Sequence, residues 1–123
     1  MSCDKNTDFE SKCVHAGIDE YEYGPVVPPI YQTSTFKFES IEHGGSLFKG
    51  EKAGYIYSRM LNPTVKALED SLAELEQGHK ALACSSGMAA ITTTLLSQLS
   101  AGSHIIMTDD CYRRTRQFIT NFL

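Results

Sequence analysis

The sequence lacks several features that would assign it to a broad class at once. Its apolar residues form no run that approaches the roughly 18 to 20 residues needed to span a bilayer. Positive charge is not in excess, because 11 lysines and arginines stand against 15 acidic residues, for a net charge of −4. An overall attraction to nucleic acid or to an anionic membrane surface is therefore not expected.

The four cysteines form no pattern typical of a metal site or a disulfide framework. Cys3, Cys13, Cys84 and Cys111 include no CxxC motif, and their spacing fits no zinc site. Residues 1–7 are polar and lack the apolar core of a signal peptide. The cysteines are therefore predicted to be reduced thiols in a cytoplasmic protein, and no metal site is predicted.

A length of 123 residues with a 41% hydrophobic fraction is typical of one modest globular domain. Residues 1–61 are predicted to be irregular, because prolines and glycines interrupt them: Pro25, Pro28, Pro29, Gly24, Gly44, Gly45, Gly50 and Gly54. Within this part, residues 30–38 (IYQTSTFKF) indicate a short strand or an extended arm. So long a segment with so little core is expected to lie across the rest of a larger chain or a second subunit.

Residues 62–123 carry clearer signals of regular structure. Asn62 is a good N-cap and Pro63 suits the first helical position. Apolar residues then recur at helical spacing, and Gly78 is predicted to be the C-cap. The rest of the pattern predicts a strand over 79–84, a helix over 87–99, a strand over 104–108 and a helix over 112–122. This order indicates parallel strands joined by a right-handed crossover.

The small-residue turn at residues 85–88 (SSGM), where the predicted helix over 87–99 begins, is a candidate anion site. The first N–H groups of a helix lack internal acceptors, and Gly87 has no Cβ to keep a phosphate away from them. In parallel sheets, ligands bind beyond the carboxyl ends of the strands. Both this turn and Tyr112 follow strands, so they are expected at one edge, where Tyr112 could stack on a planar ring.

Each of these features also has an ordinary structural interpretation. Turns of serine and glycine are common and usually bind nothing. Tyr112 could be a half-buried tyrosine that caps the sheet edge. The basic cluster formed by Arg113, Arg114 and Arg116 is better interpreted as a solvated helix face.

Several short motifs occur in a fixed order along the chain. They are residues 27–36 (VPPIYQTSTF), 54–59 (GYIYSR), 62–64 (NPT), 68–69 (LE), 75–76 (LE) and 85–88 (SSGM). This series resembles the Cys/Met-metabolism family of pyridoxal-phosphate enzymes, which includes cystathionine γ-synthase, cystathionine γ-lyase, methionine γ-lyase and the homoserine-ester sulfhydrylases. The resemblance runs from about His15 to the end of the chain.

The resemblance implies a fold and an assembly. The expected fold class is α/β: an N-terminal arm plus the first strands and helices of an aspartate-aminotransferase-like (fold type I) large domain, which is incomplete here. Residues 1–61 would be the arm, packing on a partner subunit, and residues 62–123 would begin the domain that binds pyridoxal 5′-phosphate. In this family a dimer is the minimal catalytic unit and a tetramer is usual.

The resemblance also implies roles for individual residues. Gly87 and Met88 look like the backbone donors to the cofactor phosphate, with Ser86 beside them. Tyr112 looks like the catalytic tyrosine that stacks on the pyridoxal ring and serves in proton transfer. Tyr57 and Arg59 match the Tyr-x-Arg pair that reaches the phosphate of the neighbouring subunit's cofactor, a task that suits the planar fork of arginine.

One element that the family's chemistry requires is absent from these 123 residues. The Schiff-base lysine of the family follows a Ser-x-Thr motif, and none of the seven lysines has that context. Lys66 and Lys80 are expected to be solvated. The 123-residue chain alone is therefore expected to be inactive, and the isolated chain is expected to expose apolar surface and to aggregate.

The implied activity is γ-elimination or γ-replacement on cystathionine, methionine or an O-acyl-homoserine. Residues 110–116 (DCYRRTR) look closest to plant-type cystathionine γ-synthases, whereas residues 45–57 look closer to methionine γ-lyases. Two alternatives stay open: a catalytically dead fragment that pairs with a full-length homologue, and an unrelated nucleotide-binding α/β domain. The sequence contains neither GxGxxG nor GxxxxGK[ST], which argues against the second alternative.

Overall fold

The computed structural model describes residues 7–123, and five α-helices account for the regular structure there. They are α1 (Phe9–His15), α2 (Ile41–Phe48), α3 (Pro63–Leu75), α4 (Gly87–Gln98) and α5 (Arg113–Phe122). The described residues form two compact units, one ending at Leu82 and the other running from Ala83 to Leu123. None of the described helices is long and apolar enough to cross a membrane.

Helix α3 begins where its sequence predicts. The Asn62 side chain accepts a hydrogen bond from the Thr64 N–H at 2.9 Å, and Pro63 occupies the first helical position. The end of the helix differs from the prediction. Gln77, with φ of 53°, takes the left-handed position after the Glu76 C-cap, and the Gly78 N–H donates to the Ala73 carbonyl at 2.8 Å. Gly78 is therefore the following residue of a Schellman motif and not the C-cap.

The two predicted strands are not formed as paired strands. Residues 79–84 and 104–108 have no strand assignment, and the β-structure of the described residues is one isolated antiparallel bridge between Thr35 and Tyr57. A parallel strand exists only through hydrogen bonds to its neighbours, and local sequence cannot supply them. The bridge does lie in the 30–38 segment, which was predicted to be a short strand or an extended arm.

Residues 7–61 are less irregular than predicted, because α1 and α2 lie there. Asp8 caps α1 by accepting from the Ser11 N–H at 2.8 Å, and Ser40 caps α2 by accepting from the His43 N–H at 3.1 Å. Gly44 had indicated a break, yet it lies inside α2, where a Cβ would come within 2.9 Å of the Phe38 ring. Close packing of an aromatic ring explains this glycine better than a turn does.

Helix α1 and the residues after it are attached to α3. Lys12 pairs with Glu74 at 3.0 Å, and the Ser71 hydroxyl donates to the Ala16 carbonyl at 2.7 Å. Residues 7–61 and the start of the 62–123 segment thus share one compact unit, which extends to Leu82. The domain boundary after residue 61 and the packing of the arm on a partner subunit remain predictions.

Little apolar surface is buried within residues 7–123. The buried apolar side chains there are Leu47, Pro63 and Ala67, whereas many large ones are exposed, and Ile106 is fully so. The apolar face of α3 also remains accessible at Val65, Leu68 and Leu72. The predicted exposure of apolar surface is confirmed, and the aggregation expected from it remains a prediction.

Gly17 tests the attachment of the arm to α3. Gly17 has φ of +72°, and a Cβ there would overlap the Ala67 carbonyl and the Ser71 hydroxyl. Gly17→Ala should lower the free energy of unfolding by the cost of a positive φ, about 1–2 kcal/mol, plus about 1–3 kcal/mol of overlap. Gly24→Ala is the matched control, since Gly24 has φ of +57° and no neighbour within 4 Å. Equal losses for the two variants in urea unfolding would contradict this close approach.

Candidate functional site

The candidate anion site is the turn that opens α4. The Ser86 hydroxyl accepts a hydrogen bond from the Ala89 N–H at 3.1 Å and so acts as the N-cap. The N–H groups of Gly87 and Met88, at the first two helical positions, donate no hydrogen bond within residues 7–123. Nothing lies within 4 Å of the place where a Cβ of Gly87 would be. Two donors and the positive end of the helix dipole therefore face an open approach.

Tyr112 lies at the start of the next helix in the same unit. It is the N-cap residue of α5 without making a side-chain cap, and its side chain is 64% exposed. The Thr115 hydroxyl, one turn further on, contacts the Met88 sulfur at 3.8 Å. This contact brings the first turns of α4 and α5 together. The proximity of the Tyr112 ring to an anion at α4 remains a prediction.

Tyr57 and Arg59 lie in the other unit and contact each other. The Arg59 guanidinium carbon is 5.1 Å from the centroid of the Tyr57 ring, within the range of a cation–π interaction. Both side chains are accessible to solvent. The structure therefore presents them as an oriented pair with donor groups available for an anion.

Two polar residues that the sequence did not single out as functional, Asn62 and Thr64, bond to the segments beside this pair. Asn62 was predicted only as a helix cap, yet its side-chain amide also donates to the Tyr31 carbonyl at 2.9 Å and to the Ser58 hydroxyl at 2.8 Å. The Thr64 hydroxyl donates to the Pro29 carbonyl at 2.9 Å and accepts from the Tyr31 N–H at 2.9 Å. The sequence offered one signal for these additional contacts: the cap is an asparagine, whose amide can donate hydrogen bonds as well as accept them.

The arginine cluster at the start of α5 behaves as a solvated helix face. Arg116 pairs with Asp109 at 2.5 Å, and Arg114 donates to Gln117 at 2.9 Å. All three arginine residues of the cluster are exposed. Ion pairs of this kind contribute little to stability, so the ordinary interpretation suits the cluster.

Lys66 is half-buried and ion-paired, so it is less solvated than predicted. Its ammonium group pairs with Asp19 at 3.3 Å and with Asp70, one helical turn away. The hydrogen bond to Asp70, opposed by partial burial and reinforced by Asp19, raises the pKa of Lys66 to about 12. A lysine held in this state is a poor nucleophile near neutral pH. Lys80, in contrast, is exposed as expected.

Comparison with known proteins assigns the chain to a family. Residues 10–123 match the family model for Cys/Met metabolism PLP-dependent enzymes. The chain is 44% identical over 115 residues to an L-methionine γ-lyase of Treponema denticola, covering 94% of this chain and 29% of that protein. It is 43% identical over 109 residues to an O-acetyl-L-homoserine sulfhydrylase of Corynebacterium glutamicum, covering 87% of this chain and 25% of that protein.

A solved structure extends the likeness to three dimensions. A protein of Campylobacter jejuni assigned as an O-acetylhomoserine (thiol)-lyase, which contains N′-pyridoxyl-lysine-5′-monophosphate, superimposes with a TM-score of 0.85 at 29% identity. The match covers 94% of this chain and 29% of that one. The chain belongs to the Cys/Met metabolism family of PLP-dependent enzymes. This assignment confirms the predicted family and α/β fold class, and it replaces the alternative of an unrelated nucleotide-binding domain.

The residues present fit a pyridoxal-phosphate group. Its phosphate requires N–H donors and room close to the backbone, which the turn at Gly87 and Met88 supplies. Its ring requires an accessible aromatic surface, which Tyr112 supplies. The chain spans about 29% of the length of the Treponema relative. The matched part thus carries features suited to holding the cofactor.

The state of Lys66 can be tested by trapping pyridoxal phosphate on lysines with borohydride. A shift of the pKa from 10.5 to about 12 leaves about thirtyfold less unprotonated amine at pH 9, so Lys66 should be labelled far less than exposed Lys80. Asp70→Asn should raise labelling of Lys66, whereas Asp109→Asn should not. Peptide mapping by mass spectrometry measures this, and equal labelling of Lys66 and Lys80 in the unsubstituted chain would contradict the ion pair.

The same interaction predicts a pH dependence of stability. Because the folded-state pKa of Lys66 lies above the ordinary value, its contribution to stability is complete below pH 10.5 and is lost as the pH rises through about 12. The loss should be smaller in Asp70→Asn. Urea unfolding between pH 9 and pH 12 measures it, and an identical slope in both proteins would contradict the assignment.

Proposed function

We propose that this chain supplies the first part of the cofactor site of a pyridoxal-phosphate enzyme that acts on a sulfur-containing amino-acid substrate. The observation that carries the proposal is the turn at Gly87 and Met88, whose two N–H groups have no acceptor within residues 7–123, beside an accessible Tyr112. Pyridoxal phosphate, when bound, supplies an electron sink for reactions at the α-carbon of an amino acid.

The roles of the residues follow from their donors and surfaces. The backbone N–H groups of Gly87 and Met88 bind the phosphate, and the Ser86 hydroxyl donates its hydrogen to it while the oxygen continues to cap α4. Tyr112 covers one face of the ring and moves a proton through its phenolic oxygen, which is the catalytic role proposed for this chain. Because the Ser86 cap fixes the first turn, the donors are oriented before the anion arrives.

Tyr57 and Arg59 are proposed to serve the phosphate of a partner subunit. The guanidinium group offers two parallel donors to phosphate oxygens, and stacking on Tyr57 limits its motion. Both side chains are exposed, which leaves them available to a second chain. This assignment makes a dimer the smallest complete site, and a tetramer and a cytoplasmic location remain predictions.

The reaction is proposed at the level of its class. Relatives of the chain include a γ-lyase and a sulfhydrylase, which represent elimination and replacement at the γ-carbon. The segment around Arg113 and Arg114 resembles plant-type cystathionine γ-synthases, while most of the chain is similar to methionine γ-lyases. We therefore propose a carbon–sulfur lyase or transferase.

The 123-residue chain by itself is proposed to be inactive. None of its lysines follows a Ser-x-Thr motif, and the ion pairs of Lys66 keep that amine protonated. Purified chain mixed with pyridoxal phosphate and methionine or cystathionine should release no 2-oxo acid above the rate of the cofactor alone. Turnover by the purified chain would contradict this.

Cofactor binding is tested by comparing pyridoxal phosphate with pyridoxal. The phosphate contact predicts that the chain binds pyridoxal phosphate at least about tenfold more tightly, equivalent to about 1.4 kcal/mol. Gly87→Ala should remove most of this preference, because its Cβ enters the approach to the N–H groups. Gly45→Ala is the matched control, since Gly45 is also helical and has no neighbour within 4 Å. Equal affinities for the two ligands in equilibrium dialysis would overturn the site.

A second candidate function is favoured by the exposure of Tyr57 and Arg59. A chain that cannot react alone could still pair with a full-length relative and lend it these two side chains. Co-expression with the Treponema γ-lyase and affinity capture should recover a complex of both chains. Recovery of the tagged 123-residue chain alone would exclude this function.

A further inference from the structure

Asn62 is a buried polar side chain with every hydrogen-bonding group of its amide engaged. It is 6% exposed. Its oxygen accepts from the Thr64 N–H at 2.9 Å, and its nitrogen donates to the Tyr31 carbonyl at 2.9 Å and to the Ser58 hydroxyl at 2.8 Å. Capping α3 requires only the oxygen, so the two donor bonds are additional to that task.

The bond to Ser58 reaches the centre of the Tyr57–Arg59 pair. Ser58 lies between the two residues, its N–H donates to the Ser34 carbonyl at 2.9 Å, and its hydroxyl donates to the Thr33 carbonyl. Residues 58–60 form a turn, in which the N–H groups of Met60 and Leu61 donate to the Tyr57 carbonyl at 2.9 Å and 3.1 Å. Fixing Ser58 inside this turn therefore fixes the backbone that carries both of its neighbours.

We infer that Asn62 is a positioning residue for Arg59, acting through Ser58. This inference rests on the proposed function, in which Arg59 binds a cofactor phosphate. The amide holds the Ser58 hydroxyl, Ser58 holds the backbone between Tyr57 and Arg59, and the guanidinium group is thereby kept 5.1 Å from the ring centroid. The hydrogen bonds are shielded from water because Asn62 is buried, so their loss is not replaced by solvent.

Thr64 makes a second pair of hydrogen bonds, and neither of them involves Ser58. Its hydroxyl bonds to the Pro29 carbonyl and to the Tyr31 N–H, each at 2.9 Å. Thr64 thus holds the extended arm against the start of α3, whereas Asn62 holds both the arm and the Tyr57–Arg59 segment. The separation of these contacts makes the role of Asn62 testable.

The test is an NMR measurement on the full 123-residue chain labelled with ¹⁵N. The Arg59 Hε resonance should carry a ring-current shift from Tyr57, defined as its difference from the Tyr57→Leu variant. Asn62→Asp keeps the oxygen that caps α3 but loses both donor hydrogens. It should remove more than half of that shift while the Thr64 amide resonance and the helical amide shifts of α3 are retained. A purely structural role in capping α3 would leave the Arg59 shift unchanged.

Two further variants make every outcome decisive. Asn121→Asp is the same substitution at an exposed asparagine and should leave the Arg59 shift unchanged. Ser58→Ala removes the link without touching the cap, so it serves if Asn62→Asp fails to fold, and it should also remove most of the shift. A native Arg59 shift in folded Asn62→Asp, or in Ser58→Ala, would overturn the inference.

The measurement separates this inference from the proposed function, because it requires no cofactor. Arg59→Lys in the co-expressed complex tests the phosphate contact itself through the affinity for pyridoxal phosphate. An unchanged affinity would refute the role of Arg59 and leave the geometric result standing. A native Arg59 shift in Asn62→Asp would refute the role of Asn62 and leave the proposed function standing.

Discussion

The first N–H groups of a helix have no internal acceptors, and the way in which each helix start meets this constraint organises the molecule. At α3, Pro63 has no N–H, and the Asn62 side-chain oxygen accepts from the Thr64 N–H, so few donors remain available. At α4, the cap on Ala89 leaves Gly87 and Met88 available. Proline at the first position of α3 therefore removes an N–H donor, whereas glycine at the first position of α4 leaves its N–H accessible to an anion.

Side-chain hydrogen bonds also replace sheet structure in the first unit. The extended arm has a single β-bridge, at Thr35, and is held by Asn62, Ser58 and Thr64. Few apolar side chains are buried within the described residues, Leu47, Pro63 and Ala67 among them, so these polar contacts carry much of the specificity of the fold. Each contact fixes backbone groups of the arm against the start of α3, where a small rotation would move Arg59 away from the Tyr57 ring.

The apolar surface that remains exposed is consistent with the share of the relatives that the chain matches. A helix with accessible leucines at Leu68 and Leu72 has an apolar face that further structure usually covers. The chain matches about 29% of the length of the Treponema protein. The proposed phosphate donors at Gly87 and Met88, in contrast, lie within the first turn of α4.

The sequence predicted those elements whose signals are local. Helix α4 was expected over 87–99 and is Gly87–Gln98, and the last helix was expected from Tyr112 and begins one residue later. These boundaries follow from caps and periodicity, which act within a few residues. The predicted strands failed because pairing depends on distant neighbours. Helix α2 was missed although its Ser40 cap is a local signal, because Gly44 and Gly45 indicated a break.

The features of the candidate site also divide into those that the sequence predicts and those that it does not. The turn at Gly87 could be derived from the physics of helix starts, whereas the pairing of Tyr57 with Arg59 came from the family resemblance and now has a contact to support it. The bond from Asn62 to Ser58 spans only four residues but was not predicted. The pairing of Lys66 with Asp19 could not be predicted from local patterns, because these residues lie 47 positions apart.

The most direct test of the central claim is to follow backbone amide resonances while pyridoxal phosphate is added to the chain. If the helix start at α4 holds the phosphate, the amide protons of Gly87 and Met88 should show the largest changes, and pyridoxal without its phosphate should leave them near their starting positions. Changes confined to lysine-rich or arginine-rich surfaces, with Gly87 and Met88 unmoved, would contradict the account.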